Sequence, residues 1–198
     1  VLFRSENFQV IDSDDQLRVL KRIMKAMNID EKVLAAKQVQ WFINEQKDEG
    51  RRAKHIDAGF DPTQKLMKTI YQAYEKQCEL SLLVDFGELI LRAHELWLNS
   101  PETLAQYQQR FQYVLVDEFQ DINTIQYAWL RVLVGNPANS TTSMVIVGDD
   151  DQSIYGWRGA KVENIQQFDT DFPGVETVRL EQNYRSTGNI LAAANAVI

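Results

Sequence analysis

The sequence predicts an α/β protein whose second half contains a parallel sheet and whose first half is helical. Apolar residues recur at helical spacing up to about residue 108. Two short β-branched apolar runs follow, at Tyr113–Val116 and Ser143–Gly148, with helical stretches between them. Strands that alternate with helices form parallel sheets, and their sites lie beyond the carboxyl ends of the strands. We expect a helical unit over residues 6–108 and an α/β unit over 109–198, with residues 1–5 unassigned.

Local signals place the helices of the first half. Ser13 is expected to cap the first helix, with the Gln16 side chain reaching back to it. An Asp cap followed by Pro at the first helical position starts the third helix at Asp61-Pro62. The five predicted helices cover residues 14–27, about 30–47, a segment starting at 61–62, about 85–98 and a short segment after Pro101. The first half is therefore predicted to be all-helical.

The strands of the second half are expected to be buried. Both apolar runs end abruptly in acidic residues, at Asp117-Glu118 and at Asp149-Asp150-Asp151. Continuous apolar runs of this length are typical of parallel strands covered on both faces. Val175–Leu180 is a third, weaker strand candidate. Two other acidic pairs, Asp30-Glu31 and Asp48-Glu49, are interpreted as helix-start and solvent charges.

Composition limits the class of protein. The net charge is −7, and residues 1–108 hold 15 basic and 17 acidic side chains against 6 and 11 in residues 109–198. This balance argues against a general basic surface for nucleic acid. The single cysteine, Cys78, excludes an internal disulfide and fits a reducing compartment. Without a long apolar run or a signal-peptide pattern, a cytoplasmic protein is expected.

The acidic pair Asp117-Glu118 is a candidate for metal-nucleotide chemistry. One carboxylate at the tip of a strand can hold Mg²⁺, and the next can polarise a water for attack on a phosphoryl group. The alternative is a helix N-cap, since turns from strand to helix also favour acids. His55, His94 and Cys78 have no spacing that indicates zinc binding or thiol catalysis.

The segment after the second acidic cluster could contact unpaired bases. Gln152 is an amide positioned to sense phosphate, and Tyr155, Trp157 and Arg158 lie among small residues and glycines. Aromatic faces of this kind stack on bases without regard to sequence. The alternative is core packing, although core aromatics usually have aliphatic neighbours. Further on, Arg185 could act as an arginine finger beside Tyr184, or the two could be a surface pair.

Together these segments resemble the UvrD/Rep/PcrA family of superfamily 1 helicases. The resemblance is carried by three motifs and extends across most of the chain, excluding residues 1–5. The motifs are Asp117–Asp121, Gly148–Ala160 and Gln182–Ser186, supported in the helical half by Val84–Leu89 and Arg92–Trp97. It implies part of a RecA-like motor domain of the P-loop NTPase type, with an all-helical subdomain inserted into it. It also implies an enzyme that uses ATP and Mg²⁺ to translocate 3′-to-5′ and unwind DNA in repair.

The resemblance assigns roles at the nucleotide. Asp117 would bind Mg²⁺, and Glu118 would activate the hydrolytic water. Gln152 would contact the γ-phosphate and connect the nucleotide to the segment that binds DNA. Arg185 would add a second γ-phosphate contact, and Tyr184 would pack on the adenine.

Its implications for DNA concern three residues and one basic stretch. Tyr155 and Trp157 would stack on single-stranded DNA, with Arg158 as a further DNA or coupling residue. The run Gly50–His55 is the best local basic patch for DNA, although a solvated loop explains it equally well. The expected partners are single strands and junctions of single and double strand, with repair proteins as further candidates and no membrane.

The phosphate-binding loop of this family is missing from the sequence. No G-x-x-x-x-G-K-[ST] occurs. We therefore expect the chain to be a fragment that does not hydrolyse ATP alone. We also expect its partial sheet to expose an edge and apolar faces. Two alternatives remain. The chain could be a non-catalytic DNA-binding module, or it could come from the helicase subunit of a helicase-nuclease complex.

Overall fold

The first half of the molecule is built mainly from five helices. The computed structural model describes residues 8–136, 142–156 and 159–197. The helices of this half are α1 (Ser13–Ala26), α2 (Ala36–Asp48), α3 (Pro62–Ser81), α4 (Phe86–Asn99) and α5 (Pro101–Arg110), with a 3₁₀ turn at Ala53–His55. The five predicted helices are confirmed. The caps predicted for α3 are also present, because the Asp61 carboxylate accepts a hydrogen bond from the Thr63 amide at 2.8 Å.

The predicted cap of α1 was wrong. Asp12, not Ser13, is the N-cap residue, and its carboxylate accepts a hydrogen bond from the Asp15 amide at 2.8 Å. A carboxylate at this position also interacts favourably with the helix dipole. Gln16 does not reach back to the cap, since it is buried and its Nε2 donates to Asn44 Oδ1 at 2.8 Å. Packing against α2 determines the position of this side chain.

α2 begins at Ala36 rather than near Asp30. The Asp30 carboxylate accepts a hydrogen bond from the Lys32 amide at 2.9 Å, and its carbonyl accepts one from the Val33 amide at 2.9 Å. These bonds form a separate turn before the helix. Short polar side chains that bond to nearby backbone amides favour turns over helix interiors.

The first half was predicted to be all-helical, and this was wrong. A short strand, β1 (Gln9–Ile11), pairs in parallel with β2 (Leu83–Asp85), with Gln9 opposite Leu83 and Ile11 opposite Asp85. Three residues per strand are too few to show a strand period in the sequence. β2 leads directly into α4, and the Asp85 carboxylate caps this helix by accepting from the Glu88 amide at 2.8 Å.

A buried ion network lies where α2, α3 and α4 meet. The Lys47 ammonium is 2.7 Å from Asp85 Oδ2 and 2.9 Å from Glu88 Oε2, and all three side chains are at most 7% exposed. Tyr74 Oη donates to Asp85 Oδ2 at 2.7 Å, and Arg52 donates to Glu88 Oε1 at 2.7 Å. Burial alone would raise the pKa of Glu88, but the charges of Lys47 and Arg52 lower it to about 2. Each buried charge of the network has a partner of opposite sign, which offsets the cost of removing it from water.

The second half contains a parallel pair of strands covered by helices on one face. β3 (Tyr113–Val116) pairs with β4 (Ser143–Ile146), with Val116 opposite Ile146. The helices of this half are α6 (Thr124–Val134), α7 (Glu163–Asp171) and α8 (Gly188–Asn195), and 3₁₀ turns lie at Phe119–Asp121 and Asp150–Gln152. Phe119 is fully buried and forms the centre of a cluster with Tyr127 and Phe168. The mixed α/β class is confirmed.

The strands β3 and β4 were predicted to be buried, and this was wrong for one face. Val114 and Val116 pack against the cluster around Phe119. The alternate residues point away, and Leu115 is 77% exposed and Val145 52% exposed. Successive side chains of a strand point to opposite faces, so one covered face leaves every second residue open. The expectation of an exposed apolar face agrees with this arrangement.

The candidate strand Val175–Leu180 is not a strand. These residues are exposed, with no regular structure assigned to them. Leu180 is 87% exposed and Val178 is 73% exposed. A strand is stable only when another strand takes up its backbone hydrogen bonds, and no described strand pairs with this segment.

The two halves are in contact through α4 and α6. Trp97 of α4 and Trp129 of α6 stack with their ring centroids 4.4 Å apart and their planes inclined by 23°. Architecture changes between α5 and β3, close to the division predicted at residue 108. The division into domains itself stays a prediction.

Asp48 and Glu49 form a second contact between the halves, so their interpretation as solvent charges was wrong. Asn123 Nδ2 donates to Asp48 Oδ1 at 2.8 Å, and Lys161 Nζ lies 2.6 Å from Glu49 Oε1. Thr124 Oγ1 donates to Glu49 Oε1 at 3.3 Å. Burial raises the pKa of Asp48 to about 6, assisted by the neighbouring charge of Glu49 and opposed by the Asn123 hydrogen bond.

Removing the central cation of the ion network should destabilise the protein strongly. Lys47→Met leaves two buried carboxylates without their shared partner, and breaking such a pair costs about 3–5 kcal/mol in the free energy of unfolding. The exposed pair Arg18–Asp15, 2.8 Å apart, offers a control, since Arg18→Met should cost less than about 1 kcal/mol. Urea denaturation at pH 7 measures the free energy of unfolding of both variants. Equal losses in the two variants would contradict a stabilising role for the buried Lys47 ion pairs.

Asp48→Asn should raise stability at neutral pH. The folded-state pKa of Asp48 lies above its value in an unfolded chain, so the group stabilises the fold while protonated and loses this contribution as the pH rises through about 6. The amide in the variant still accepts from Asn123 but carries no charge to desolvate. The melting temperature of the variant should exceed that of the wild type at pH 7.5 and converge with it near pH 4.

The matched control is Asp169→Asn, which removes an exposed carboxylate of α7. Its effect should not follow the same course with pH. If Asp48→Asn melts below the wild type at pH 7.5, then the charge of Asp48 stabilises the fold, and burial does not raise the pKa of Asp48.

Candidate functional site

The first acidic tip follows β3 directly. Asp117 and Glu118 are both exposed at the end of the strand. The Glu118 amide donates to Asp117 Oδ1 at 2.9 Å, and Glu118 has the left-handed backbone angles φ 51° and ψ 44°. Few non-glycine residues adopt this conformation, because their Cβ is crowded by the backbone. The turn directs the chain from β3 into the 3₁₀ turn that contains Phe119.

The second acidic tip follows β4 and lies at the same edge of the sheet. The Asp149 carboxylate accepts from the Asp151 amide at 3.1 Å and from Gln152 Nε2 at 2.7 Å. Gln152 is exposed at the end of the 3₁₀ turn. Asp149 therefore fixes the shape of the loop that presents Gln152.

Gln120 joins the two tips. It is 1% exposed, its Nε2 donates to Glu118 Oε2 at 2.6 Å, and its Oε1 accepts from the Asp149 amide at 3.0 Å. The Phe119 amide also donates to the Val147 carbonyl at 2.9 Å, which extends the pairing of β3 and β4 past the ends of the strands. The structure therefore links the two acidic clusters that the sequence predicted separately.

Gln120 lies within the motif Asp117–Asp121, but the sequence analysis assigned it no function. Its polar side chain follows Phe119 in a turn, where exposure is the ordinary expectation. The only available signal was Gly148 at the end of the neighbouring strand, because a glycine there indicates close approach of another group. A Cβ on Gly148 would lie 2.8 Å from Gln120 Oε1.

The predicted DNA-binding residues are only partly described by the structure. Tyr155 is half-buried in the loop after Gln152, and its carbonyl accepts from the Ala160 amide at 3.3 Å. Trp157 and Arg158 lie outside the described residues. The stacking role of this segment stays a prediction.

Tyr184 and Arg185 lie in an exposed turn. Asn183 Oδ1 accepts from the amides of Arg185 and Ser186, both at 2.9 Å, and Tyr184 is 87% exposed. Among the described residues, the Arg185 guanidinium forms no ion pair with the acidic tips. The nucleotide contacts of both residues stay predictions.

Two of the four basic side chains in the run Gly50–His55 pair with carboxylates. The Arg52 guanidinium donates to Glu95 Oε1 at 2.8 Å and to Glu88 Oε1 at 2.7 Å. Arg51 lies 3.4 Å from Glu49 Oε2. Arg52 therefore belongs to the ion network of the fold, and Arg51, Lys54 and His55 are the exposed basic side chains of this run.

The donor atoms at the acidic tips fit a hard cation only in part. Carboxylate oxygens are the ligands that Mg²⁺ prefers. Within residues 8–136, 142–156 and 159–197, however, no group of three or more acidic, His or Cys side chains is arranged to hold a metal ion. Asp117 would therefore need ligands from a bound nucleotide to complete the coordination shell.

Comparison with known proteins identifies the family. A family model described as the UvrD/REP helicase N-terminal domain matches residues 2–173. The chain belongs to this family. The match includes both acidic tips and Tyr155, whereas Tyr184 and Arg185 lie beyond its end. The helicase resemblance inferred from the motifs is therefore confirmed.

Several curated relatives support the assignment. The chain is 61% identical over 193 residues to DNA helicase II of Escherichia coli, covering 98% of this chain and 26% of the relative. It is 44% identical to a probable DNA helicase II homolog of Rickettsia felis, covering 98% and 29%, and 42% identical to ATP-dependent DNA helicase PcrA of Staphylococcus epidermidis, covering 97% and 26%. The chain thus spans between a quarter and a third of the length of these UvrD/Rep relatives. Of the helices described, none has the length and apolar character needed to cross a membrane.

Proposed function

We propose that this chain is part of an ATP-dependent DNA helicase that translocates 3′-to-5′ on single strands and unwinds duplexes in DNA repair. The observation that carries the proposal is the link between the two acidic tips, since Gln120 contacts Glu118 at 2.6 Å and the Asp149 amide at 3.0 Å. This arrangement joins a carboxylate suited to activating water to a loop that leads toward aromatic residues. The family membership supports ATP as the nucleotide that is hydrolysed and DNA as the polymer that is bound.

The acidic tips would bind the nucleotide through Mg²⁺. A bound Mg²⁺ would neutralise charge on the phosphates and position them. Asp117 is the residue at this tip suited to holding it, and Glu118, held in its left-handed conformation, would take a proton from the attacking water. Gln152 and Arg185 would contact the γ-phosphate, and Tyr184 would pack on the adenine.

The loop after β4 would connect the nucleotide to DNA. Gln152 is hydrogen bonded to Asp149, and Tyr155 follows within three residues in the same loop. Tyr155, Trp157 and Arg158 would stack on and contact a single strand. In this scheme residues 109–198 form part of a RecA-like motor, and residues 6–108 form its inserted subdomain. Junctions of single and double strand are the proposed substrates.

Glu118→Gln should strongly reduce turnover in the full-length protein. The amide keeps the size of the side chain but cannot accept the proton of the water, and a general base contributes about 10²–10⁴-fold to the rate. Steady-state ATP hydrolysis with single-stranded DNA should fall by this factor, while binding of a fluorescent ATP analogue stays unchanged.

Two controls bound this test. Glu163→Gln, at an exposed carboxylate of α7, should hydrolyse ATP at the wild-type rate. The isolated chain, whose sequence lacks the phosphate-binding loop, should show no hydrolysis. Full turnover by Glu118→Gln would reject the role of Glu118.

Tyr155→Ala and Trp157→Ala should each weaken single-strand binding. Stacking on one base contributes about 1–3 kcal/mol, which corresponds to an affinity loss of about 5- to 150-fold. Fluorescence anisotropy with a labelled oligo-dT measures the affinity. Trp41→Ala, which removes an aromatic side chain that is 64% exposed on α2, serves as the control. Equal affinities of the wild type and both loop variants would remove the stacking role.

A further inference from the structure

We propose that Gln120 is a positioning residue that aims the Glu118 carboxylate and makes its orientation depend on the loop after β4. This inference rests on the proposed function and extends it, because it names the group that transmits between the DNA-binding loop and the candidate base. The roles assigned by resemblance gave the transmission to Gln152 alone. The geometry shows a continuous path in which Gln120 is the central member.

The orientation of the Gln120 amide follows from its neighbours. The backbone amide of Asp149 is a donor, so the Gln120 atom 3.0 Å away must be the carbonyl Oε1. The NH₂ group must then face Glu118, where it donates to Oε2 at 2.6 Å. Exchanging the two ends would place donor against donor and acceptor against acceptor. The assignment of oxygen and nitrogen in this side chain is therefore determined by the site itself.

Burial makes both hydrogen bonds necessary. Gln120 is 1% exposed, so water cannot replace either partner, and an unsatisfied buried amide group is unfavourable. The main-chain carbonyl of Gln120 additionally accepts a hydrogen bond from Ser153 Oγ at 3.5 Å, in the loop after β4. Close packing against Gly148 limits any movement of Oε1, since even a Cβ there would lie 2.8 Å from it. The side chain is consequently held at both ends and along one side.

Three hydrogen bonds connect the exposed loop to the candidate base. Gln152 Nε2 donates to Asp149 Oδ2 at 2.7 Å, the Asp149 amide donates to Gln120 Oε1 at 3.0 Å, and Gln120 Nε2 donates to Glu118 Oε2 at 2.6 Å. Movement of the loop changes the position of the Asp149 amide first. Because no other described residue is hydrogen bonded to the Gln120 side chain, a displaced Asp149 moves the amide that orients Glu118. This contiguous set of contacts is a physical route for coupling whose strength a double-mutant cycle measures.

Two substitutions distinguish the two hydrogen bonds of the Gln120 side chain. Gln120→Glu retains an oxygen that accepts from Asp149 but replaces the donor toward Glu118 with a carboxylate. Gln120→Met has a similar volume and lacks both functions. In the full-length protein, each should lower the kcat of ATP hydrolysis by about 10²-fold, the scale expected when a catalytic group is misplaced by about 1 Å. The KM for ATP should change little, because Gln120 does not touch the nucleotide in the proposed site.

DNA dependence distinguishes the variants further. Gln120→Glu keeps the bond to the loop, so the ratio of kcat with and without single-stranded DNA should be retained. Gln120→Met loses this bond, and the ratio should fall toward one. Combining Gln120→Met with Gln152→Met should lower the ratio no further than Gln120→Met alone, since both act on the same path.

Gln40→Met is the matched control. Gln40 is another buried glutamine, 6% exposed, and its Nε2 donates to the Ser13 carbonyl and to Gln16 Oε1 in the helical half. The control should lower the melting temperature as a Gln120 variant does, without altering kcat per folded molecule. Should the Gln120 variants fail to fold, Gly148→Ala provides a second test, because its Cβ displaces Gln120 Oε1 while Gln120 is retained. It should lower kcat with little change in KM.

The outcomes are separable. A wild-type protein without DNA-stimulated hydrolysis would overturn both the proposed function and this inference. An active wild type together with folded Gln120→Glu and Gly148→Ala variants of unchanged kcat would overturn the inference alone. Losses confined to the melting temperature, equal to those of Gln40→Met, would show that Gln120 only stabilises the fold.

Discussion

The parallel pairing of β3 with β4 is the constraint on which the whole site depends. Parallel strands end at the same edge of a sheet, so the acidic segments that follow them emerge side by side. The pairing continues past the strands through the bonds from Val147 to Val116 and from Phe119 to Val147. An antiparallel arrangement would separate the tips by the length of a strand. The short distance between Glu118 and Asp149 that Gln120 spans exists only in the parallel register.

Much of the fold follows from local signals in the sequence. Asp61-Pro62 starts α3 as predicted, and the apolar runs at 113–116 and 143–146 are strands. The acidic tips could also be located, because a strand that ends in carboxylates directs them to an edge. These features depend on residues adjacent in sequence. Periodicity and capping are sufficient to specify them.

The features that sequence reasoning missed depend on tertiary contacts. The sequence around Asp48 is typical of a solvent-exposed charge. Asn123, which is far from it in sequence and lies in the other half of the chain, nevertheless donates a hydrogen bond to it. Gln120 has no local signature, since its two partners belong to different turns. Other predictions failed because apolar residues are not covered. The sheet face that contains Leu115 and the segment 175–180 are apolar in sequence but exposed in the structure. An apolar pattern indicates what a strand could bury, and neighbouring elements decide whether it does.

The stacked indoles of Trp97 and Trp129 make the contact between the two halves visible by spectroscopy. Each half contributes one ring, and the centroids are 4.4 Å apart. Two indoles at this separation couple their strong electronic transitions and give a paired band in the ultraviolet circular dichroism. The band disappears when α4 and α6 move apart, even if each helix stays intact. The molecule therefore carries a native optical reporter of the separation between α4 and α6 that needs no label.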